Sequence, residues 1–286
     1  MLSEVYSLYQ PVRQTTPVVF SSPHSGSQYP AELLLRSALD KMAIRSSEDA
    51  FVDQLFDVAP QLGAPLLAAK VPRAYVDLNR AADELDPAII EGIARPAHNP
   101  RISSGLGVIP RVVAAGRAIY TGKLPLAVAE ERIRTCWHPY HNALRDLVES
   151  THQRFGEVVL IDCHSMPHEA IEAHARPGHL RPDVVLGDRF GAAAGRDVMD
   201  QVEAAFAASG LRVARNSPFA GAYIAQAYGR PSRRTHVIQI EIDRALYMDE
   251  GRIEPLPGFA AFRGVIAGIV DDICHSMRRE LPLAAE

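Results

Sequence analysis

Two histidines of this chain each follow an apolar, strand-like run, and in both places the next residue is serine. Residues 17–20 lead to His24, and residues 158–161 lead to His164. Ligand sites of open α/β sheets lie beyond the carboxyl ends of strands, so we expect both imidazoles at one sheet edge. The alternative is that each histidine is an ordinary helix cap or core residue. The repeated pattern favours a metal site.

An acidic residue could complete such a site. Hydrolytic zinc sites usually have three protein ligands with nitrogen or oxygen atoms and keep a further position for water. The adjacent pair Glu48-Asp49 is the best-placed source of the third ligand. Its alternative role is to stabilise the first turn of a helix through capping and the helix dipole.

Glu241 lies in a third strand-like run, residues 237–243. With a period of two, Glu241 and Gln239 point to one side of the strand and the intervening isoleucines to the other. A carboxylate on a rigid strand end, beside a metal site, is positioned for general-base chemistry. The alternative is a salt bridge with Arg233 or Arg244.

The other candidate motifs are weaker. His138 and His141 are three residues apart at the start of a predicted helix and could chelate a metal, although a capping or surface role is the commoner use of such histidines. The chain has no GxSxG, HExxH, Walker A or GxGxxG motif. The usual signals of serine hydrolases, zinc proteases and nucleotide-binding proteins are therefore missing.

Composition excludes several classes of protein. The 286 residues are 47% hydrophobic and 22% charged, as in ordinary globular proteins, and the net charge of −4 argues against a nucleic-acid partner. The three cysteines share no CxxC spacing, which indicates neither a disulfide framework nor a thiolate zinc site. We expect a cytoplasmic protein, because neither a signal-peptide pattern nor a membrane-span-length apolar stretch is present.

Alternating strand and helix patterns predict one α/β domain, residues 1–286, with a mixed, mostly parallel sheet between two layers of helices. The predicted strands are 17–21, 65–70, 74–78, 157–163, 183–187, 211–215 and 235–242. The predicted helices are 30–44, 49–62, 125–155, 189–209 and 258–280. Residues 82–124 contain five glycines and four prolines with little periodicity. We expect this segment to be an excursion that covers the site.

Taken in order, these motifs resemble the N-formylglutamate amidohydrolase family, from Val18 to about Glu250. No single motif is specific, but their order and spacing form a strong signal. The landmarks are Pro23-His24-Ser25-Gly26, Asp49 with Asp53, Val76-Asp77-Leu78-Asn79-Arg80, Pro139-Tyr140-His141, Asp162-Cys163-His164-Ser165, the turn Pro218-Phe219-Ala220-Gly221-Ala222-Tyr223, and Ile240-Glu241.

The resemblance implies a three-layer fold similar to zinc carboxypeptidases and aspartoacylases, of the phosphorylase/hydrolase-like type. It implies one Zn²⁺ held by His24, Asp49 and His164, with Glu241 as the base. The family commonly has Thr-Asp where this chain has Glu48-Asp49. Alignment therefore favours Asp49 as the ligand, with Glu48 as the alternative.

The resemblance also implies a small N-acyl amino acid as substrate. In the type case, N-formyl-L-glutamate is hydrolysed to formate and glutamate during histidine breakdown. Asn79 and Arg80 would bind a substrate carboxylate, and Tyr223 would contact the substrate. Arg244 is a candidate for a second carboxylate, or else a partner of Asp243 or Glu241. Two alternatives remain open: a related zinc exopeptidase or deacylase acting on another acyl group, and a metal-free, non-catalytic binding protein.

Overall fold

A seven-stranded sheet forms the centre of the computed structural model, which describes residues 4–94, 99–174 and 181–278. Its strands are β1 (Tyr6–Tyr9), β2 (Val18–Ser22), β3 (Leu66–Ala69), β4 (Val158–Met166), β5 (Val184–Gly187), β6 (Val213–Arg215) and β7 (Thr235–Asp243). Their order is β1-β3-β2-β4-β7-β5-β6. The β1–β3 and β5–β7 pairs are antiparallel and the other pairs are parallel, which confirms the predicted mixed, mostly parallel sheet. A small separate hairpin joins β8 (Met248–Asp249) to β9 (Glu254–Pro255).

Helices connect the strands. They are α1 (Ala31–Arg36), α2 (Val52–Leu55), α3 (Pro100–Ser103), α4 (Leu126–Arg132), α5 (His138–Phe155), α6 (His168–His174), α7 (Arg196–Ala208), α8 (Tyr223–Tyr228) and α9 (Phe259–Ser276). A π-helical turn, Ile133–Trp137, joins α4 to α5, so the predicted helix 125–155 is one continuous helical stretch with a bulge. Among the described helices, none combines the length and the apolar character that a membrane crossing needs.

The sheet is covered by helices on both faces, as predicted. Phe20 and Ile161 point into a core shared with α2, α7 and α9, whereas Val19 and Leu160 point into a core shared with α4, α5 and α8. All four side chains are fully buried. Burial of one such side chain stabilises a fold by about 1.5–3 kcal/mol, so alternation along the central strands fixes which residues face which layer.

Several predicted elements are wrong. Residues 74–78 form a loop instead of a strand, because Val76 and its apolar neighbours bury themselves in the second core without joining a ladder. The edge strand β1 was not predicted, since its side chains are half-buried or exposed. Helices α3, α6 and α8 were also not predicted.

The other predicted helices are shorter in the structure than the sequence predicts. The predicted helix 30–44 stops at Arg36, and 49–62 breaks into α2 and a 3₁₀ turn, Ala59–Leu62, with Pro60 in its first turn. Helix α7 begins late because residues 189–191 have positive φ angles. Helix α9 ends at Ser276, and residues 279–280 of its predicted range lie outside the described residues.

The segment 82–124, of which residues 95–98 lie outside the described part, has two structural roles. Its apolar residues, among them Ile89, Val108 and Ile119, pack into the core of the second face. Its residues 101, 106, 110 and 112–114 line the cavity of the site described below. That the segment covers the site stays a prediction.

Candidate active site

A cavity of about 410 Å³ opens at the carboxyl edge of the parallel strands β2, β4 and β7. His24 lies just after β2, His164 lies in β4, and Glu241 lies in β7 directly opposite His164 in the register. All three line the cavity. The strands therefore bring together the three residues that the sequence suggested for one sheet edge.

His24, Asp49 and His164 form a buried cluster that could hold a metal ion. One ligand atom from each residue lies within 4.8 Å of the other two. Oδ2 of Asp49 is 2.9 Å from Nδ1 of His164 and 3.5 Å from Nδ1 of His24. Glu48 is turned away and places its carboxylate on Arg45, at 2.9 and 3.1 Å. Asp49, and not Glu48, thus lies with the two histidines.

A backbone hydrogen bond positions Asp49. Its N–H donates to the carbonyl of His24 at 3.0 Å, so the turn after β2 and the loop before α2 are held side by side. The next residues are Ala50 and Phe51, and Phe51 adopts a left-handed conformation (φ 66°) just before α2 begins. Asp49 therefore lies at the end of an irregular connection and is not part of a helical first turn.

The donor set fits a divalent metal ion. Nδ1 of His24 is buried and makes no hydrogen bond with any described residue. Buried polar atoms normally have a partner, so this nitrogen is suited to binding a metal ion. Two imidazole nitrogens and one carboxylate oxygen are the ligands found in hydrolytic zinc sites.

Buried carboxylates orient both imidazoles. Nε2 of His24 donates to Oδ1 of Asp77 at 2.7 Å, and Nε2 of His164 lies 3.1 Å from Oδ2 of Asp162. Each ring thereby directs Nδ1 into the cluster, an arrangement typical of metal-binding histidines. The sequence did not predict these orienting roles of Asp77 and Asp162. The available signal for Asp162 was its place two residues before His164, on the same face of the strand.

The electrostatics of the cluster favour a bound cation. Burial lowers the pKa of His164, but the carboxylates of Asp162, Asp49 and Glu241 outweigh it and hold that pKa well above its ordinary value. Burial raises the pKa of Asp49, but the attraction of His164 and His24 outweighs it and holds that pKa well below its usual range. The raised pKa of His164 reflects negative potential at its ring, and the lowered pKa of Asp49 keeps its carboxylate ionised and able to bind a cation.

Glu241 is buried beside the cluster. Burial raises its pKa to about 7, the charge of Asp49 adds to the shift, and the charges of His164, Arg73 and Arg244 oppose it. Its Oε1 accepts a hydrogen bond from Nε2 of Gln239 at 2.8 Å. A carboxyl group with such a pKa can accept and return a proton near neutral pH.

Asn79 and Arg80, the predicted carboxylate clamp, make different contacts. Asn79 lines the cavity and also makes contacts inside the protein, because Nδ2 donates to Asp162 at 3.1 Å and Oδ1 accepts from the N–H of Ile224 at 2.7 Å. Substrate binding by Asn79 stays a prediction. Arg80 lines the cavity and uses Nε and Nη1 on the carbonyls of Leu106 and Asn79. Its Nη2 makes no hydrogen bond with any described residue and remains available to a ligand.

Arg244 and Tyr223 differ in their position. The Arg244 guanidinium lines the cavity but donates to Oδ1 of Asp49 at 2.9 Å and to Oγ of Ser165 at 3.1 Å. Tyr223 packs against the rings of Trp137 and His141 and is not among the residues that line the cavity, although its neighbour Ala222 is. Substrate binding by Arg244 and Tyr223 stays a prediction.

The pair His138 and His141 does not belong to the metal cluster found in the described residues. His138 is exposed, whereas His141 is buried between α5 and the loop before Asn79. Nε2 of His141 donates to the carbonyl of Leu78 at 2.9 Å, and Nδ1 lies 2.9 Å from the hydroxyl of Tyr228. His141 therefore supports the loop that carries Asn79 and Arg80.

The chain is similar to known amidohydrolases over most of its length. The profile of the N-formylglutamate amidohydrolase family matches residues 16–248. An N-formylglutamate deformylase of Pseudomonas aeruginosa is 31% identical over 248 residues, covering 83% of this chain and 84% of that protein. An N-formylglutamate deformylase of Pseudomonas putida is 27% identical over 237 residues, covering 82% of each.

Solved structures agree with this similarity. The crystal structure of an N-formylglutamate amidohydrolase from Ralstonia eutropha JMP134 superposes with a TM-score of 0.89 at 37% identity, covering 96% of this chain and 98% of that one. A gene product of Agrobacterium tumefaciens has a TM-score of 0.65 at 16% identity, covers 96% of both chains and shares the fold. The chain belongs to the N-formylglutamate amidohydrolase family.

Proposed function

We propose that this protein is a metal-dependent amidohydrolase that converts N-formyl-L-glutamate into formate and L-glutamate. The observation that carries the proposal is the buried cluster of His24, Asp49 and His164 with Glu241 beside it, all in one cavity. The names of the relatives support the substrate. The products would suit a step in histidine degradation, as the family resemblance implies.

We assign the cluster to one Zn²⁺. His24 and His164 would bind it through Nδ1 and Asp49 through Oδ2, because Asp77 and Asp162 occupy the opposite nitrogens of the two rings. A bound divalent cation would polarise the scissile carbonyl and lower the pKa of a water molecule at the site.

Glu241 would move the proton. Amide hydrolysis forms a C–O bond, breaks the C–N bond and needs a proton on the departing nitrogen. Glu241 would take that proton from the attacking water at its carboxylate and hand it to the amine. A pKa near 7 suits both halves of this transfer, and Gln239 holds the carboxylate in place.

Arg80 would bind a carboxylate of the substrate. Its Nε and Nη1 are fixed by backbone carbonyls, so the planar guanidinium is held rigidly with Nη2 free toward the cavity. A fixed guanidinium recognises a carboxylate at low entropic cost. It would thus orient the amide bond relative to Glu241.

Hydrolysis of a panel of compounds, with substrate and products separated by chromatography, tests this function. The purified, zinc-loaded protein is assayed with N-formyl-L-glutamate, N-acetyl-L-glutamate, N-formyl-L-methionine and an unmodified dipeptide, with and without a chelator. We expect the highest kcat/KM for N-formyl-L-glutamate and loss of activity with the chelator. Preference for the acetyl compound or the dipeptide would instead identify a deacylase or an exopeptidase. A protein without bound metal and without turnover would identify a binding protein.

A further inference from the structure

We propose that Arg101 binds the side-chain carboxylate of the substrate and makes the enzyme selective for acidic N-formyl amino acids. This inference builds on the proposed function, because it takes an N-formyl amino acid as the substrate. Arg101 lies in the segment 82–124 and lines the same cavity as Glu241 and Arg80.

The side chain of Arg101 has no partner within the described part of the chain. It makes no hydrogen bond or ion pair there, although the residue is half-buried and its backbone lies in α3. The helix starts at Asn99, whose side chain accepts from the N–H groups of Arg101 and Ile102. A cation that lines a cavity and makes no ion pair with a described residue is suited to an anionic ligand.

The other arginines of the cavity have anionic or carbonyl partners. Arg244 is paired with Asp49 and Arg73 with Asp77, each at 2.9 Å. Arg80 binds two carbonyls and reaches Asp77 only at 3.9 Å.

Around Arg80 and Arg101, positive charge therefore exceeds the negative charge of the groups that are paired with it. Burial lowers the pKa of Arg80, and the positive charges of Arg73 and Arg101 lower it further. Glu84 and Asp77 oppose this shift, but Glu84 makes no ion pair with a described residue and does not line the cavity. Two such cations in one cavity match a ligand that carries two carboxylates.

The wall beside the two arginines suits the methylene groups of such a ligand. It is apolar and includes Leu106, Pro110 and Val112. A pocket with apolar walls and a few convergent charged groups is the common form of a small-molecule site. Arg80 would take the α-carboxylate and Arg101 the distal carboxylate.

Comparison of two nearly isosteric substrates tests the assignment. N-formyl-L-glutamate and N-formyl-L-glutamine differ in the charge of one terminal group. We would measure kcat/KM for both with the zinc-loaded wild type, Arg101→Gln and Arg101→Lys. The matched control is Arg196→Gln, because Arg196 is 93% exposed and does not line this cavity.

We expect Arg101→Gln to lower kcat/KM for N-formyl-L-glutamate by roughly 10- to 1,000-fold, through KM, as loss of one partner of a charged pair does. Turnover of N-formyl-L-glutamine should stay within about threefold, which also verifies that the variant is folded. Arg101→Lys should restore part of the preference for glutamate, and Arg196→Gln should change neither substrate.

Two contrary results are distinguishable. An unchanged glutamate-to-glutamine ratio in Arg101→Gln, or an equal loss on both substrates, would overturn the role of Arg101 and leave the proposed function intact. A wild-type protein that hydrolyses neither compound would overturn the proposed function and the assignment of Arg101 with it.

Discussion

Arg244 donates a hydrogen bond from Nη2 to Oδ1 of Asp49, while Oδ2 of the same carboxylate lies 2.9 Å from Nδ1 of His164. Asp49 is therefore held from one side by a guanidinium and presents its other oxygen to the cluster. Ser165 and the carbonyl of Ser46 occupy further donors of Arg244. This geometry favours a role for Arg244 in orienting a metal ligand.

Replacement of Arg244 tests that role. Arg244→Met should weaken metal affinity by roughly 10- to 100-fold, as the loss of groups that orient metal ligands does. Competition with a chelator measures the affinity, and Arg252→Met is the control because Arg252 is 71% exposed. If metal affinity stays the same and only KM rises, Arg244 binds substrate directly.

Replacement of the cluster histidines tests the metal ligands. His24→Ala and His164→Ala should each lose bound zinc, because removal of one ligand leaves two. Elemental analysis of the purified variants measures the zinc content. His138→Ala serves as the control, since this exposed histidine lies outside the cluster and should retain full occupancy. Full zinc occupancy in His164→Ala would contradict the assignment.

Glu241→Gln separates general-base chemistry from metal binding. Glutamine keeps the shape and can still accept the hydrogen bond from Gln239, but it cannot take a proton at neutral pH. We expect kcat to fall roughly 10²- to 10⁴-fold while zinc remains bound. Loss of zinc would make Glu241 a ligand, and near-normal turnover would end the proposal that it is the base.

His141 should make the protein less stable in mild acid. Burial lowers its pKa to about 4, below the ordinary value of 6.5. The unfolded state then binds a proton that the folded state does not, so stability falls as pH decreases from 6.5 toward 4. Between pH 7 and pH 5 this histidine should remove about 2 kcal/mol from the free energy of unfolding.

The comparison for His141 uses the variant His141→Gln. Chelator-treated wild type and variant are unfolded with urea at pH 7 and at pH 5, and the other histidines cancel in the difference. The wild type should lose about 2 kcal/mol more than the variant over this range. Equal losses would mean that His141 titrates normally in the folded protein.

A glycine pair tests how the segment 82–124 is held. A Cβ at Gly107 would lie 2.5 Å from the carbonyl oxygen of Glu84, whereas nothing lies within 4 Å of a Cβ at Gly122. Gly107→Ala should therefore destabilise the fold by about 1–3 kcal/mol. It should also raise KM, since Leu106 lines the cavity. Thermal unfolding and kinetics of both variants measure this, and equal behaviour of Gly107→Ala and Gly122→Ala would contradict it.

Much of the sheet and part of the site could be predicted because they depend on local patterns. Strands β2, β4 and β7 are apolar runs that alternate correctly, and each brings a polar residue to its carboxyl end: His24, His164 and Glu241. The period of two also placed Glu241 and Gln239 together on the polar face of β7, which the structure confirms.

The remaining parts depend on tertiary contacts that no local pattern records. The choice between Glu48 and Asp49 follows from a backbone bond to His24, 25 residues earlier in the chain. Arg101 lies in a segment without periodicity, so its approach to the cavity left no signal. Residues 74–78 look like a strand because all of them except Asp77 are apolar, but a loop buries them equally well.

Reconstitution with zinc tests the central claim most directly. Chelator-treated protein is titrated with Zn²⁺ while formate release from N-formyl-L-glutamate is followed, with His164→Ala in parallel. We expect activity to rise in proportion to bound zinc and to saturate at one ion per chain, because one cluster of three ligands is present in the described residues. The His164→Ala protein should not regain activity. Full turnover by the metal-free protein, or none by the zinc-saturated protein, would contradict a metal-dependent amidohydrolase built on His24, Asp49 and His164.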